Sequence, residues 1–253
     1  MSFRRLVSNI VCGFIPNQKT RSRVRVVLNN PSIKAHIKFV RHWAKENCGG
    51  VQKLKLEFGV GCHNLVVLLN DKYVFKFFLV PGRESRAYHE ERVVAALRDI
   101  SPIRLPKMEL IRYGDTVLRL YEFVPGKMLT DFDASYINQN RDKIARQLAN
   151  FMYVIGCADP AALRDLKPTP DAAPDFMYGW FHNDIGNNCI LDDDLNIVGF
   201  IDCEKACFCD FKSSLANAEH FWDKKGYYGL MVSVLAEYAK LYYEPKNIKT
   251  RNS

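Results

Sequence analysis

The chain has 253 residues, 48% of them hydrophobic, and its 36 lysines and arginines outnumber its 28 aspartates and glutamates. This apolar content is enough for a sizeable core, which excludes a disordered chain and favours one two-lobed domain or two small ones. The formal charge of +8 arises from residues 1–45, which contain ten basic residues and no acidic ones. The rest of the chain, with 26 basic and 28 acidic residues, is nearly neutral.

The first fifteen residues repeat apolar side chains at helical spacing, with Arg4 and Arg5 beside the apolar stripe. We predict a basic amphipathic segment over residues 1–50, beginning with a helix that is too short and too interrupted to span a bilayer. This helix either packs on the protein's own surface or lies on an anionic membrane, to which residues 1–45 would be attracted. Nucleic acid is not an expected partner, because the segment has few aromatic residues and no recognisable reading motif.

From Val51 onward, apolar residues alternate as they do in β-strands. The pattern predicts three short strands: one entering Gly59-Val60-Gly61, one over Leu65–Leu69, and one over Tyr73–Leu79 after an Asn70-Asp71 turn. Gly59 and Gly61 would let backbone N–H groups approach a phosphate, although a plain hairpin turn is the commoner explanation of a single Gly-x-Gly.

Lys76 interrupts the third apolar strand, and a buried ammonium needs an anionic partner. The next segment, RESRAYHEERVVAALRDI, is predicted to be a helix. Glu90 lies three and four residues before two apolar valines, so it is placed to turn inward toward Lys76. Glu84 and Glu91 are rivals for this role, and the alternative for all three is a solvated helix charge.

A further strand is predicted within DTVLRLYEFVPGKML, ending at Pro125-Gly126. This strand and break suit a hinge that exposes backbone groups of Glu122 and Val124 to a planar ring. Residues 138–157 are predicted to be helical, and so is GLMVSVLAEYAKLYY near the end of the chain.

The stretch WFHNDIGNNCILDDDLNIVGFIDCEKA, residues 180–206, combines polar residues with two short apolar runs. The first polar group is His-Asn-Asp followed by two asparagines, and the second is Asp202 beside Glu204. Either these residues cap turns, or they form a site for metal and phosphate.

The order of these motifs, from the glycine turn and the strand lysine to the His-x-Asp loop and the final Asp, resembles the protein-kinase-like superfamily. It is most similar to the bacterial small-molecule branch, which includes aminoglycoside and choline kinases and the sugar kinases of lipopolysaccharide assembly. The resemblance covers roughly residues 51–240 and rests on the combination FHND…NN…FIDCE. It implies an α+β bilobal fold, with an antiparallel N-lobe sheet and one helix over residues 51–126 and a mostly helical C-lobe over residues 127–253.

Kinases of this type align an acceptor hydroxyl with the terminal phosphate of ATP, and Mg²⁺ offsets the negative charge that accumulates. The resemblance implies that Asp184 accepts or orients the acceptor's proton and that His182 braces the catalytic loop. It further implies that Asn188 and Asp202 hold magnesium through hard oxygen ligands.

The resemblance also assigns residues to the nucleotide. Lys76 would clamp the phosphates that are not transferred, and Glu90 would position Lys76. The turn from Gly59 to Gly61 would cover the phosphates.

Two departures from the family pattern matter. The family's metal-binding Asn usually comes five residues after the catalytic Asp, where this chain has Cys189, so either Asn187 or Asn188 takes the role. Asn188 is favoured, because a loop shortened by one residue puts NCIL in place of the usual Asn-apolar-apolar run. In place of Asp-Phe-Gly the chain has Asp-Cys-Glu, and Glu204 is either an added metal ligand or a salt-bridged turn residue.

The eight cysteines are scattered along the chain, and we expect mostly reduced, buried thiols in a cytoplasmic protein. Cys203, Cys207 and Cys209 lie close together, but no Cys-x-x-Cys pair and no suitably spaced histidine completes a tetrahedral zinc site.

The acceptor is predicted from what surrounds the site. No long activation segment with an Ala-Pro-Glu end follows Asp202, which disfavours a regulated protein kinase. The nearly neutral body disfavours a cationic antibiotic, whereas the basic N-terminus favours work on the inner face of the cell membrane. A sugar or glycolipid of lipopolysaccharide or capsule is therefore the leading acceptor, with a protein kinase and a nucleotide-binding pseudokinase as alternatives.

Overall fold

A computed structural model describes residues 32–58, 64–169, 173–175 and 177–243, together with residues 24 and 30. The amphipathic helix predicted for the first fifteen residues lies outside the described residues. The chain is mixed α+β and divides into two compact units, one comprising residues 1–88 and 108–123 and the other comprising residues 89–107 and 124–253.

The first unit contains a five-stranded antiparallel sheet of order β1-β2-β3-β5-β4. Its strands are β1 Leu54–Phe58, β2 Asn64–Leu69, β3 Tyr73–Phe78, β4 Met108–Tyr113 and β5 Thr116–Glu122. The turn before β3 has positive φ at Asn70 (55°) and Asp71 (52°), a conformation that these two residue types tolerate. The three predicted strands and this turn are confirmed.

Helix α1, Ser32–Asn47, covers one face of this sheet. Its buried residues Ile33, His36, Val40 and Ala44 recur at helical spacing and pack against strand side chains such as Phe77. The basic residues of the helix point to solvent and are Lys34, Lys38, Arg41 and Lys45. Four of the ten basic residues in the N-terminal 45 residues thus lie on the exposed face of α1, and the other face of this helix is part of the core.

Helix α2, Glu84–Leu97, follows β3 as predicted. Val93, Val94 and Leu97 are buried, whereas Tyr88 is 50% exposed. Of the described helices, none is long and apolar enough to cross a membrane.

The second unit is mostly helical, with helices α3 Ala134–Gln139, α4 Arg141–Gly156, α5 Ile185–Asn188, α6 Phe211–Lys225 and α7 Leu230–Tyr243. The predicted helix over residues 138–157 begins later than expected, because Asn140 leaves the helical conformation (ψ 16°) and separates α3 from α4. Its side-chain amide donates to the Tyr136 carbonyl, the kind of local bond through which Asn ends helices.

Two small sheets complete the second unit. One has strand order β6-β8-β9, and the other pairs β7 with β10. Their strands are β6 Lys127–Met128, β7 Tyr178–Phe181, β8 Cys189–Leu191, β9 Ile197–Phe200 and β10 Cys207–Asp210.

These sheets are anchored on α4. Phe200 at the end of β9 stacks on Phe151 of α4, with ring centroids 3.9 Å apart. Gly179 of β7 lies so close to Gly156 at the end of α4 that a side chain on Gly179 would overlap the Gly156 carbonyl oxygen. Contacts with α4 therefore position β7 and β9, and the residues that follow both strands are polar residues of the 180–206 stretch.

The buried His36 predicts acid-sensitive folding. Its ring stacks on Phe77 at 4.4 Å, and burial lowers its pKa to about 4 from an ordinary value of 6.5. As the pH falls through this window, the unfolded chain binds a proton that the folded chain does not, so the free energy of unfolding falls. The loss is at most about 3 kcal/mol, and His36→Phe should remove most of it.

Urea unfolding at about pH 7.5 and about pH 4.5 measures this loss. His42→Gln is the matched control, since His42 lies on the same helix with its side chain 68% exposed, and it should keep the wild-type pH dependence. A wild-type pH dependence in His36→Phe would contradict the assignment.

Candidate active site

Lys76 lies on β3 with only 7% of its surface exposed. Its strand neighbours Phe75 and Phe77 belong to the core under α1, so Lys76 points to the opposite face of the sheet. Directly across the β3–β5 pairing lies Arg119, which is fully buried. Two cations therefore share one face of the sheet, an arrangement that requires compensating anions or dipoles.

Arg119 was not singled out in the sequence, because an alternating strand gives no sign of which polar side chain is buried. Its guanidinium donates to Asn64 Oδ1 at 3.1 Å and lies 4.3 Å from the centroid of the Phe78 ring. These contacts hold the guanidinium plane in place beside Lys76.

Glu90 is fully buried on α2, whereas Glu84 and Glu91 are each partly exposed. Of the three candidate glutamates, Glu90 is thus the one that turns inward. Its pairing with Lys76 stays a prediction.

His182 follows β7 and is buried. Its Nε2 lies 2.9 Å from the Ile201 carbonyl oxygen, so Nε2 carries the proton and donates it. Burial lowers the pKa of His182, which keeps the imidazole neutral in this role. The imidazole thus joins the segment before Asp184 to the segment before Asp202, a bond of the kind predicted for a brace.

Two backbone contacts tighten the same link. The Asn188 side-chain amide donates to the Asp184 carbonyl at 2.9 Å, and the Ile201 amide donates to the Asn188 carbonyl at 3.0 Å. One network of hydrogen bonds therefore joins His182, Asp184 and Asn188 to Ile201, the residue directly before Asp202.

The Asp184 carboxylate forms an ion pair with Lys205. Lys205 Nζ lies 2.8 Å from Asp184 Oδ2, with the Asp184 side chain 17% exposed and that of Lys205 48% exposed. Lys205 was not predicted as a site residue, because nothing in the sequence links it to a residue 21 positions earlier.

The two candidate asparagines differ in burial. Asn188 is buried at the end of α5, whereas Asn187 is partly exposed. Because Asn188 uses Nδ2 to hold Asp184, its Oδ1 is the atom suited to a cation. Cys189, which occupies the family's usual Asn position, is buried in β8, where burial raises its pKa and keeps it a neutral thiol.

Asp202 has left-handed backbone angles (φ 61°, ψ 58°). Asp is one of the few residue types other than Gly that adopt this conformation, as Asp71 does in the turn before β3. One oxygen from each of Glu90, Asp202 and Glu204 lies within 4.8 Å of the others. Carboxylate oxygens are the ligands that Mg²⁺ prefers, so these residues have the chemistry for that ion.

The remaining predicted site residues are less informative. Gly59 and Gly61 lie outside the described residues. Glu122 is the last residue of β5 and is exposed, and Val124 is buried in the second unit.

No protein-family model matches the chain, and no curated protein matches it in sequence. Solved structures do resemble it. A GDP and kanamycin complex of APH(2″)-IIia superposes with a TM-score of 0.63 at 15% identity, covering 81% of this chain and 82% of that one. The macrolide 2′-phosphotransferase MphH from Brachybacterium faecium gives 0.54 at 17% identity, covering 81% and 83% of the two chains.

The aminoglycoside phosphotransferase APH(3″)-Id from Streptomyces rimosus gives a TM-score of 0.55 at 18% identity, covering 80% of this chain and 91% of that one. The chain has the protein-kinase-like fold of these phosphotransferases. The fold class inferred from FHND…NN…FIDCE is therefore confirmed, and the solved structures that share this fold are small-molecule phosphotransferases.

Within this phosphotransferase fold, the placement of Asn188 depends on how closely α5 approaches α6. A side-chain carbon on Gly186 would lie 2.8 Å from the Ala218 Cα, which is backbone and cannot swing aside. Glycine at this position thus lets the turn that carries Asn188 sit directly on α6.

Gly186→Ala should therefore destabilise the protein by about 1–3 kcal/mol, because α5 must move away from α6. Thermal unfolding followed by circular dichroism measures the effect. Asn187→Ala, at the partly exposed neighbouring position, is the control and should change stability much less. A Gly186→Ala protein that melts like wild type would show that the two helices are not packed as tightly as described.

Proposed function

We propose that this chain is an ATP- and magnesium-dependent kinase that phosphorylates a hydroxyl group, with a sugar of a bacterial surface glycan as its leading acceptor. The observation that carries the proposal is the hydrogen-bond network through which His182 and Asn188 join the segment of Asp184 to Ile201, the residue directly before Asp202. Turn capping alone does not require a buried imidazole to join two separate loops.

Phosphoryl transfer depends mainly on alignment and on charge neutralisation. Bound ATP supplies the phosphoryl group, and Mg²⁺ supplies positive charge at the phosphate oxygens. In this proposal Asp184 accepts or orients the proton of the acceptor hydroxyl. Its carboxylate is suited to that role because its backbone is held by Asn188 and its Oδ2 by Lys205.

Magnesium would be held by Asp202 and by Asn188 Oδ1, with Glu204 as an added carboxylate ligand. Glu90 was assigned to position Lys76, but its carboxylate also lies with those of Asp202 and Glu204. A buried glutamate in this place would orient the metal ligands or contact the ion.

Lys76 would neutralise the phosphates that are not transferred, and Arg119 beside it would add a second positive charge. Because Arg119 is fully buried, it would act through its charge, and Lys76 would make the contact with phosphate.

The choice of acceptor rests on charge. The similar structures include a kanamycin complex and a macrolide phosphotransferase, so an antibiotic hydroxyl is the second candidate. The excess positive charge of this chain lies in residues 1–45 and the remainder is nearly neutral, which suits an acceptor on an anionic membrane better than a polycationic drug. This favours a sugar or glycolipid of lipopolysaccharide or capsule.

Labelled ATP with magnesium tests the proposal against four acceptors: total surface-glycan extract, kanamycin, a macrolide and a general protein substrate. We expect label in the glycan fraction, and Asp184→Asn should reduce transfer by about 10²–10⁴-fold because the proton acceptor is lost. Nucleotide affinity should stay near wild type in Asp184→Asn and fall in Asp202→Asn when magnesium is present.

Each other result has a definite meaning. Label in an antibiotic or in protein would overturn the glycan assignment and keep the kinase. Magnesium-dependent nucleotide binding without transfer to any acceptor would indicate a pseudokinase. Full activity in Asp184→Asn would remove that residue from catalysis.

Lys205 should matter for turnover and not for stability, because ion pairs this exposed contribute little to folding. Lys205→Met frees the Asp184 carboxylate and should lower kcat by about tenfold to a hundredfold. Lys205→Arg should recover part of that loss, and Lys212→Met, an exposed lysine on α6, is the neutral control. Wild-type kcat in Lys205→Met, with unchanged unfolding, would show that the ion pair has no part in the reaction.

A further inference from the structure

Two thiols lie side by side next to the catalytic loop. Cys207 and Cys209 alternate with the buried Phe208 along β10, so both thiols lie on the face of the strand opposite to Phe208. Phe208 packs against Trp180 on the inner side, and both thiols are partly exposed. Nothing in the proposed phosphoryl transfer uses them.

The pair is connected to the loop through Asn183. The Asn183 side-chain amide donates to Cys207 Sγ at 3.4 Å, and Asn183 immediately precedes Asp184. The Cys209 thiol also donates to Cys207, and these two donors lower the pKa of Cys207 to about 7. The same contact raises the pKa of Cys209, so the pair consists of one thiolate-prone sulfur and one protonated thiol.

We propose that Cys207 and Cys209 form a peroxide-reactive dithiol that closes to a disulfide beside the catalytic loop. The Cys207 thiolate attacks one oxygen of hydrogen peroxide, which forms a sulfenic acid and releases hydroxide. Cys209 then loses its proton, and its sulfur attacks the Cys207 sulfur to form the S–S bond, while the sulfenic hydroxyl leaves and takes up the Cys209 proton to become water. Peroxide is the two-electron oxidant, and a dithiol reductant reverses the change.

Disulfide formation would disturb the residues around it for geometric reasons. Residues two apart in a strand have Cα atoms about 6.6–6.8 Å apart, at the upper end of the separation that a disulfide bridges. Closing the bond therefore shortens β10, whose residues Cys207 and Cys209 pair with Phe181 and Gly179 of β7. Phe181 is the residue directly before His182, so the shortening reaches the catalytic loop.

Oxidation also removes a hydrogen bond. A disulfide sulfur accepts hydrogen bonds poorly, so the Asn183 amide loses its partner. Asn183 lies directly before Asp184, so a change in its side-chain contacts occurs next to the proposed catalytic carboxylate. The proposed disulfide formation does not depend on the proposed kinase function, whereas its effect on phosphate transfer rests on that function.

Peptide mass spectrometry of the full-length protein tests the thiol chemistry directly. Trypsin cuts after Lys205 and Lys212 and releases residues 206–212, ACFCDFK, which contains these two cysteines and no other. We treat the protein with hydrogen peroxide, alkylate it and digest it. The expected peptide is two hydrogens lighter than the free dithiol and carries no alkyl group, and prior reduction restores both alkylation sites.

Single variants separate the two roles. Cys209→Ser should stop at the sulfenic acid on Cys207, which a sulfenic-acid reagent traps, and Cys207→Ser should leave Cys209 unreacted. Cys157→Ser, which removes an exposed thiol elsewhere, is the control and should behave like wild type. Alkylation of both thiols after peroxide, or oxygen addition without a disulfide, would overturn the proposal.

The same samples test the coupling to the active site. Phosphate transfer by the oxidised protein should fall by about tenfold and return on reduction, and Cys207→Ser should be insensitive to peroxide. A disulfide that leaves transfer unchanged would refute the coupling. A reduced protein with no transfer at all would count against the proposed function, while the peptide result would still decide whether the dithiol exists.

Discussion

The candidate site depends on one buried hydrogen bond, from His182 Nε2 to the Ile201 carbonyl. It links two loops that are far apart in sequence, and each loop carries residues that the proposed chemistry needs. Because the imidazole is buried and its pKa is lowered, the bond is a fixed neutral contact near pH 7 and not a titrating one. The Asn188 contacts to Asp184 and Ile201 add to this link, so Asp184 and Asn188, the residues proposed for catalysis and metal binding, are positioned together.

Buried and partly buried charge is the second constraint. Lys76 and Arg119 place two cations on one face of the sheet, and Glu90, Asp202 and Glu204 place three carboxylates close together in the other unit. Concentrating like charges in this way opposes folding unless counter-charges or ligands compensate. Both groups of like charge therefore depend on compensation by the groups around them.

Local patterns explain why much of the fold was predictable. Strands β1 to β3 were predicted from alternating apolar residues, and helices α2 and α7 from apolar residues at helical spacing. Both patterns arise because each element buries one face. The inward turn of Glu90 followed from its spacing to apolar neighbours. Helix α1 was missed as a core element, because its four exposed basic residues made it look like part of a charged N-terminal segment. The break at Asn140 was not predicted either, because a single Asn within a helical pattern does not by itself indicate the end of a helix.

The sequence by itself determined the order of the elements, the residue types of the site and the resemblance to small-molecule kinases, because these properties are carried by neighbouring residues. Only the tertiary structure decided that Arg119 lies beside Lys76, that Lys205 holds Asp184, and that Asn183 donates to Cys207. Each of these contacts joins residues about 20 or more positions apart, where no period or spacing constrains the partner. Strand register and loop packing brought them together, and both follow from the whole core rather than from any one segment.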